Sequence, residues 1–572
     1  MRTLVLLASV LACSAEDAFG EPGHFARAFL KDAQELGWKS DGYLPAGASL
    51  ELTIAVRQTN LQKLEQLFHA VSDPDNANYG RHLTFDQVNA LTAPRKEDLT
   101  VVDQALGELN ATNVRRTANS DFVVAEVPVA AAERAFGDRF LRLWHADGRT
   151  AVRCPGGSLP EILRAAVDFV RPLNQPLSPG GQRRPRLLQQ LLQELNFTSP
   201  PDSLVNTPSS LRKLYSVGDA EGVDKTNKQA VTGFLEQHYT NTDLQEFFLL
   251  YYKKGQGRKV ARQVGDGKSG LPGVEAELDV QYVMAMGGNV ETEFWSFAGR
   301  APDNPGNEPF LKFMTTLANT SNAPLVISSS YGEDEDSVTQ AYAERCNVEF
   351  QKAGVRGISL LFASGDSGVS GDRSCGKECA AAKDCFVPMW PAASPYVTAV
   401  GGTAGGSKES AASLSSGGFS YRWPVPSWQK AAVQSFLAGE GLPDPKLYSK
   451  TGRGFPDVSA QAVNYMVIAF GVPQPVAGTS CASPTFAGIL SLVNDVRLRA
   501  GKPSLGFVNP LLYKNPGALN DVTSGCNPGC GTQGFCAVPG WDPVTGLGTP
   551  NFAKLANLSG GALDVPPLPL VV

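Results

Sequence analysis

Histidine is the scarcest chemically versatile residue in this sequence, with five imidazoles in 572 residues: His24, His69, His82, His145 and His238. Only His238 falls in the C-terminal two-thirds, so a histidine-dependent serine hydrolase built there has a single candidate base. No run of about 18 unbroken apolar residues is present, which excludes a membrane-spanning helix by length. Positive charge is not in excess: 50 Lys and Arg face 56 Asp and Glu, for a net charge of −6. With no long basic cluster, this argues against a nucleic-acid partner. CxxC pairs are missing, and no histidine neighbours the cysteine groups, which sets structural zinc aside. No internal repeat of fixed period occurs.

What is present begins with MRTLVLLASVLACSAEDAFG, a short basic and apolar opening followed by small residues. Residues 1–16 read as a secretory signal peptide. Four glycosylation sequons, at Asn110, Asn196, Asn319 and Asn557, fit that route. Ten cysteines, two groups of them tight (Cys375, Cys379, Cys385 and Cys526, Cys530, Cys536), predict disulfides. Loss of Cys13 with the signal leaves an odd number, and Cys481 is the thiol expected to stay free.

Three blocks follow. Residues 17–174 mix alternating strands such as LELTIAVRQ with helical runs and predict an α+β unit. Residues 175–204, opening on QPLSPGGQRRPR, read as an exposed linker open to proteolysis. Residues 205–563 alternate short apolar strands with helices, the pattern of a parallel sheet flanked by helices. Chemistry in such sheets sits at the carboxyl ends of the strands. Residues 564–572 form a tail expected to fray.

The chemistry-bearing stretches lie in the third block. In VAGTSCASPTF, Ser480 stands at the predicted start of a helix, with Pro484 in its first turn. It reads as a nucleophile near helix N–H donors, or as a plain helix cap. His238, in GFLEQHYTNTDLQEFF, reads as a surface histidine on an amphipathic helix. In GVEAELDVQY, Glu275 and Asp279 are four apart and share one helix face, while Glu277 points elsewhere. Such a pair shares a proton if it is dry, or is an ordinary solvated acidic face. Asp366, in FASGDSG, ends an apolar strand on a glycine-flanked turn; protonated, it is a donor for an oxyanion. Asp521 and Asp542 lie in glycine-rich loops, suited to calcium or to simple Asx turns.

In order along the chain, VSDPDNANYGRHLTFDQV, VNTPSSLRKLYSVG, GVEAELDVQY, ISSSYGEDEDS, FASGDSG, SPYVTAVGGT, GRGFPDVSA, GTSCASPTFAGILSLVN and GWDPVTGLGTPN resemble the sedolisins, or serine-carboxyl peptidases. The resemblance implies a subtilisin-like catalytic domain (205–563) behind a ferredoxin-like α+β activation prodomain (17–174). It implies an acid-active, self-processing zymogen, cut between about Gln190 and Ser210, whose prodomain acts as an intramolecular inhibitor. Ser480 takes the role of nucleophile, Glu275 of general base, Asp279 of its proton-sharing partner and Asp366 of oxyanion donor. Ser328 to Gly332 falls on the substrate strand. One structural Ca2+ is implied on the carboxylates of Asp521 and Asp542 and the carbonyls of Val522, Val538 and Gly540. Polypeptide substrates, a monomer, and a lysosome or acidic vacuole complete the expectation. Tripeptide release from free N-termini and internal cleavage both stay open. Cys481 beside the nucleophile and the insert at 374–385 depart from the family pattern.

Overall fold

The computed structural model describes residues 24–146, 148–175, 177, 186–187, 205–267, 270–301, 306–371 and 385–560. The expectations for the signal peptide, most of the linker and its cleavage site, the Asn196 sequon, Cys375 and Cys379, and the tail lie outside the described residues. Contacts divide the chain into two compact units.

Of the described residues, the smaller unit holds 24–58 and those between 93 and 177. Its central sheet is antiparallel, with Ser49–Val56 between Phe122–Pro128 and Val167–Arg171, and Thr112–Arg116 at the edge. Taken as strands one to four of this sheet, their order is 4-1-3-2, the ferredoxin-like arrangement that the family resemblance implies. A continuous apolar core under Lys96–Glu108, Val129–Phe136 and Glu161–Ala166 includes Leu52, Ile54, Val102, Val123 and Phe136. One segment departs from the linear division. Residues Thr59–Thr92, between the first two strands of this sheet, belong to the larger unit.

In the larger unit the elements used below are α1 (Leu61–Ser72), α2 (Phe85–Thr92), β1 (Lys228–Gly233), β2 (Arg262–Val264), α3 (Val274–Gly287), β3 (Glu291–Ser296), β4 (Val326–Ser329), α4 (Gln340–Val355), β5 (Ser359–Ala363), β6 (Thr398–Ala404), β7 (Val458–Gln461), β8 (Tyr465–Ala469), β9 (Val472–Ala477) and α5 (Thr479–Arg499). Parallel pairing gives the order β2-β3-β1-β4-β5-β6-β7. The chain builds to one side of β1 and then the other, so the topological switch point lies between β1 and β4. Strands β1, β4 and β5 are buried along their whole length, as a sheet covered on both faces requires.

Two helices are buried almost completely. In α3 every residue from Glu275 to Gly287 is buried, and in α5 every residue from Thr479 to Arg497. They pack closely on each other because Gly488 of α5 has no side chain: a Cβ there would stand 2.7 Å from the backbone nitrogen of Gly287. The linker is not wholly free, since Arg186–Leu187 pairs antiparallel with Val476–Ala477 at the end of β9.

Candidate active site

The site forms where α3, α5 and the carboxyl ends of β4 and β5 meet. Glu275 stands in the first turn of α3, its N–H donating to Gln237 Oε1 at 3.2 Å. Asp279 follows one turn later and is fully buried. The solvated acidic face is therefore excluded. Burial, then repulsion from Asp279, pushes the Glu275 carboxyl well above the ordinary range, and the neighbouring Ser480 hydroxyl opposes that shift. Burial raises Asp279 in the same direction, opposed by the hydroxyl of Ser330. Glu275 Oε1 and Asp279 Oδ2 are buried and lack hydrogen-bond partners among the described residues. Two crowded, dry carboxyls are stable with one charge between them, not two. Glu277 does point elsewhere, accepting from the Thr240 N–H at 2.6 Å and from Gln281 at 3.0 Å.

Ser480 is the second residue of α5 and is 5% exposed. Here the helix start differs from the sequence expectation. It begins at Thr479, so Pro484 sits inside it rather than in its first turn. Proline has no N–H to give the carbonyl four residues back, and that carbonyl is Ser480's own. It lies instead 3.4 Å from Ser330 Oγ, which also donates to Asp279 Oδ1 at 2.6 Å. Ser330, just past the end of β4, thus links the carboxylate pair to the nucleophile's backbone.

Asp366 comes from the turn after β5. Its Oδ1 accepts from the Thr479 N–H at 2.6 Å and the Thr479 hydroxyl at 2.9 Å. That hydroxyl in turn accepts from the Gly365 N–H at 3.0 Å. The turn is therefore tied to the first residue of α5, one place before Ser480. Gly478 makes room for it: φ is 151°, and a Cβ would stand 2.8 Å from Asp366 Oδ2.

The other residues expected to matter are also placed. Ser328 Oγ and Ser483 Oγ are 2.7 Å apart, and Ser329 accepts from Thr232 at 2.9 Å, so these β4 side chains tie the strand to α5 and β1. His238 is not on a helix; it lies in the loop before Asn241–Tyr251, against Gly270, with no hydrogen bond to Ser480 among the described residues. Cys481 remains a buried thiol, raised by burial and then by Asp366, which keeps it protonated and unreactive. Cys154 is a second free thiol. Cys526 and Cys536 form a disulfide, and Cys385 and Cys530 are disulfide-bonded as well.

The predicted calcium residues converge on one loop. Asp521 Oδ2 accepts from the Gly540 N–H at 2.8 Å, and Asp542 Oδ2 from the Val538 N–H at 3.2 Å. Val522 is buried beside Asp521. Asp542 is fully buried among backbone N–H groups and the Thr545 hydroxyl, and burial pushes its carboxyl up to about 7. A buried carboxylate with no basic partner among the described residues, beside a second carboxylate and loop carbonyls, fits a hard cation's preference for oxygen. Among the described residues no three His, Cys, Asp or Glu cluster, so carbonyls would have to complete the shell.

Sequence reasoning did not single out Thr479 or Gln237, and it took Ser330 only as part of the Ser328 to Gly332 substrate strand, with no role of its own. Only the position of Ser330 at a strand's carboxyl end, next to the switch point, offered a signal.

Comparison with known proteins is consistent across the chain. A family model described as "Pro-kumamolisin, activation domain" matches residues 36–175. Tripeptidyl-peptidase 1 of Rattus norvegicus is 40% identical over 541 residues, covering 91% of this chain and 93% of the relative. Tripeptidyl-peptidase 1 of Homo sapiens is 40% identical over 538 residues, with the same coverage. Among solved structures, Pseudomonas sedolisin, a serine-carboxyl proteinase complexed with pseudo-iodotyrostatin, aligns at 26% identity and a TM-score of 0.49, covering 62% of this chain and 98% of that one.

Proposed function

Because the chain belongs to the sedolisins, the serine-carboxyl peptidases, and to the tripeptidyl-peptidase 1 branch of them, we infer that Ser480, Glu275, Asp279 and Asp366 carry its chemistry. It is a serine peptidase made as a zymogen, with its activation domain at the N-terminal end. The observation that supports the assignment of roles is the convergence on the start of α5: Ser330 bridges buried Asp279 and the Ser480 carbonyl, and Asp366 is bonded to Thr479, with buried Glu275 one turn before Asp279 on α3.

Glu275 takes the Ser480 proton as Oγ attacks the scissile carbonyl. The C–N bond then breaks, the leaving amine receives that proton, and water hydrolyses the acyl-enzyme by the same path. Asp279 shares the proton of the pair, so Glu275 presents a single negative charge to the hydroxyl. Asp366 donates to the oxyanion through Oδ2, Oδ1 being occupied by Thr479. Catalysis by carboxyl groups suits acid, and an acidic compartment such as the lysosome is the proposed place of action.

The proposed domain limits follow: an activation segment through residue 174, maturation within 175–204, and a catalytic domain from 205. The four site residues come from one chain, and a monomer suffices. For calcium, Asp521 and Asp542 would supply carboxylates and Val522, Val538 and Gly540 carbonyls, and the ion would hold the Val538–Gly540 loop.

Tripeptides from free N-termini are the proposed products. Acid-matured protein incubated with an N-terminally free peptide should release tripeptides, read by mass, and should leave an N-acetylated twin intact. Internal cleavage of both peptides at comparable rates would contradict tripeptide release and establish an endopeptidase.

A further inference from the structure

The segment that leaves the small sheet, residues 59–92, is fastened to the peptidase unit. Phe68 of α1 is fully buried, its ring 4.8 Å from that of Phe507 and 5.3 Å from that of Tyr396. Gly354 at the end of α4 leaves it room: a Cβ there would lie 2.3 Å from the Phe68 ring. Polar contacts hold the rim. Tyr396 donates to Glu65 at 3.0 Å, Lys514 pairs with Asp75, and the Leu83 N–H donates to the Val355 carbonyl at 2.8 Å.

Between α1 and α2 lies His82, and its ring occupies a slot shaped for it. A Cβ on Gly357 would stand 2.6 Å from Cδ2, and one on Gly506 2.9 Å from Cε1. Both glycines have positive φ, 81° and 63°, which other residues rarely adopt. Nε2 lies 2.9 Å from the Ser504 carbonyl and donates to it, so the neutral ring carries its proton there. Nδ1 is buried and has no hydrogen-bond partner among the described residues. The charged group facing the ring from the peptidase unit is Arg497 of α5. Its own donors go to the carbonyls of Pro503 and Ser559, and its guanidinium lies 5.8 Å from the Tyr79 ring, so no carboxylate neutralises it among the described residues.

We propose that His82 is an acid-operated latch: neutral, it seats residues 59–92 in the Gly357–Gly506 slot of the peptidase unit, and protonation at Nδ1 releases them. A proton there creates a buried N–H with no acceptor and sets a second cation beside Arg497. Burial, opposed by the Ser504 hydrogen bond, already holds the imidazole below its ordinary 6.5. The sign follows from linkage: the undocked ring takes up a proton below about 6.5 while the docked ring resists, so docking is complete above that pH and weakens as pH falls. Burial also holds His69, the neighbouring histidine on α1, below its ordinary range, but Glu65 and Asp73 beside it oppose that shift. It therefore makes the weaker trigger. The latch rests on the reading that this segment is shed on activation.

The test uses the full chain carrying Ser480→Ala, which blocks self-cleavage, and follows backbone hydrogen exchange of residues 59–92 from pH 7.5 to 5. Corrected for intrinsic rates, exchange should accelerate by roughly tenfold on acidification, whereas the chain also carrying His82→Gln should stay protected at both pH values. Equal acceleration in the His82→Gln chain would overturn the latch. If that variant is already open at pH 7.5, exchange of the His82 ring C2 proton in the Ser480→Ala chain decides. A midpoint well below 6.5 supports the latch, and one at or above 6.5 overturns it. No turnover is measured, so the latch and the peptidase assignment can fail independently.

Discussion

At the scale of single residues, the site turns on who donates to whom. Ser330 gives its one proton to Asp279 at 2.6 Å and lies over the Ser480 carbonyl that Pro484 leaves unpaired. Its bond favours the ionised form of Asp279, so removing it raises the pKa of the pair. Ser330→Ala should lower kcat/KM by about tenfold or more and move the acid-side inflection of the pH profile upward, with Ser330→Thr restoring both. Loss of activity with an unmoved inflection would reduce Ser330 to a packing role. The sequence reading placed this residue only within the substrate strand, because a serine at a strand end has no periodic signature that tells a bridging role from a backbone one. Glu275 and Asp279 were legible because four-residue spacing fixes them to one face of any helix. Their burial was not legible, since the same spacing serves a wet surface equally well.

At the scale of elements, α3 and α5 are central helices that carry carboxyl groups through the core. The helical nature of both was readable from content. The start of α5 was misplaced because Gly478 and Thr479 look like a turn and only the Asp366 contact shows that the helix begins there. His238 was assigned to a helix because the amphipathic pattern of the next helix extends backward past its Thr240 cap. Burial of α3 has a thermodynamic signature at Glu277, whose carboxyl is pushed up to about 8 from an ordinary 4.5 by burial. The folded chain keeps a proton that the unfolded chain gives up, so this group favours folding below about 4.5 and loses that contribution as pH rises toward 8. Glu277→Gln should therefore flatten the decline of Tm between pH 4.5 and 8. An unchanged slope, measured by calorimetry in the two proteins side by side, would show that Glu277 ionises freely in the folded state.

At the scale of the whole molecule, the alternation of strands and helices pointed to the parallel sheet and to an α+β unit, and the family resemblance supplied the ferredoxin-like form of the latter. The excursion of residues 59–92 from one unit to the other could not be read, because helical periodicity states that a face is buried and not what covers it. The scarcity of histidine proved the most informative feature of composition. A serine at the mouth of α5 beside a buried carboxyl dispenses with an imidazole, and His238 makes no hydrogen bond to it among the described residues. The most direct test compares kcat/KM for an N-terminally free peptide between pH 3 and 8 in Glu275→Gln, His238→Gln and the unsubstituted enzyme, each processed to the mature length. The carboxylate mechanism predicts loss of at least about a hundredfold in Glu275→Gln at every pH and an unaltered acid optimum in His238→Gln. An active Glu275→Gln enzyme, or loss of activity on replacing His238, would contradict it.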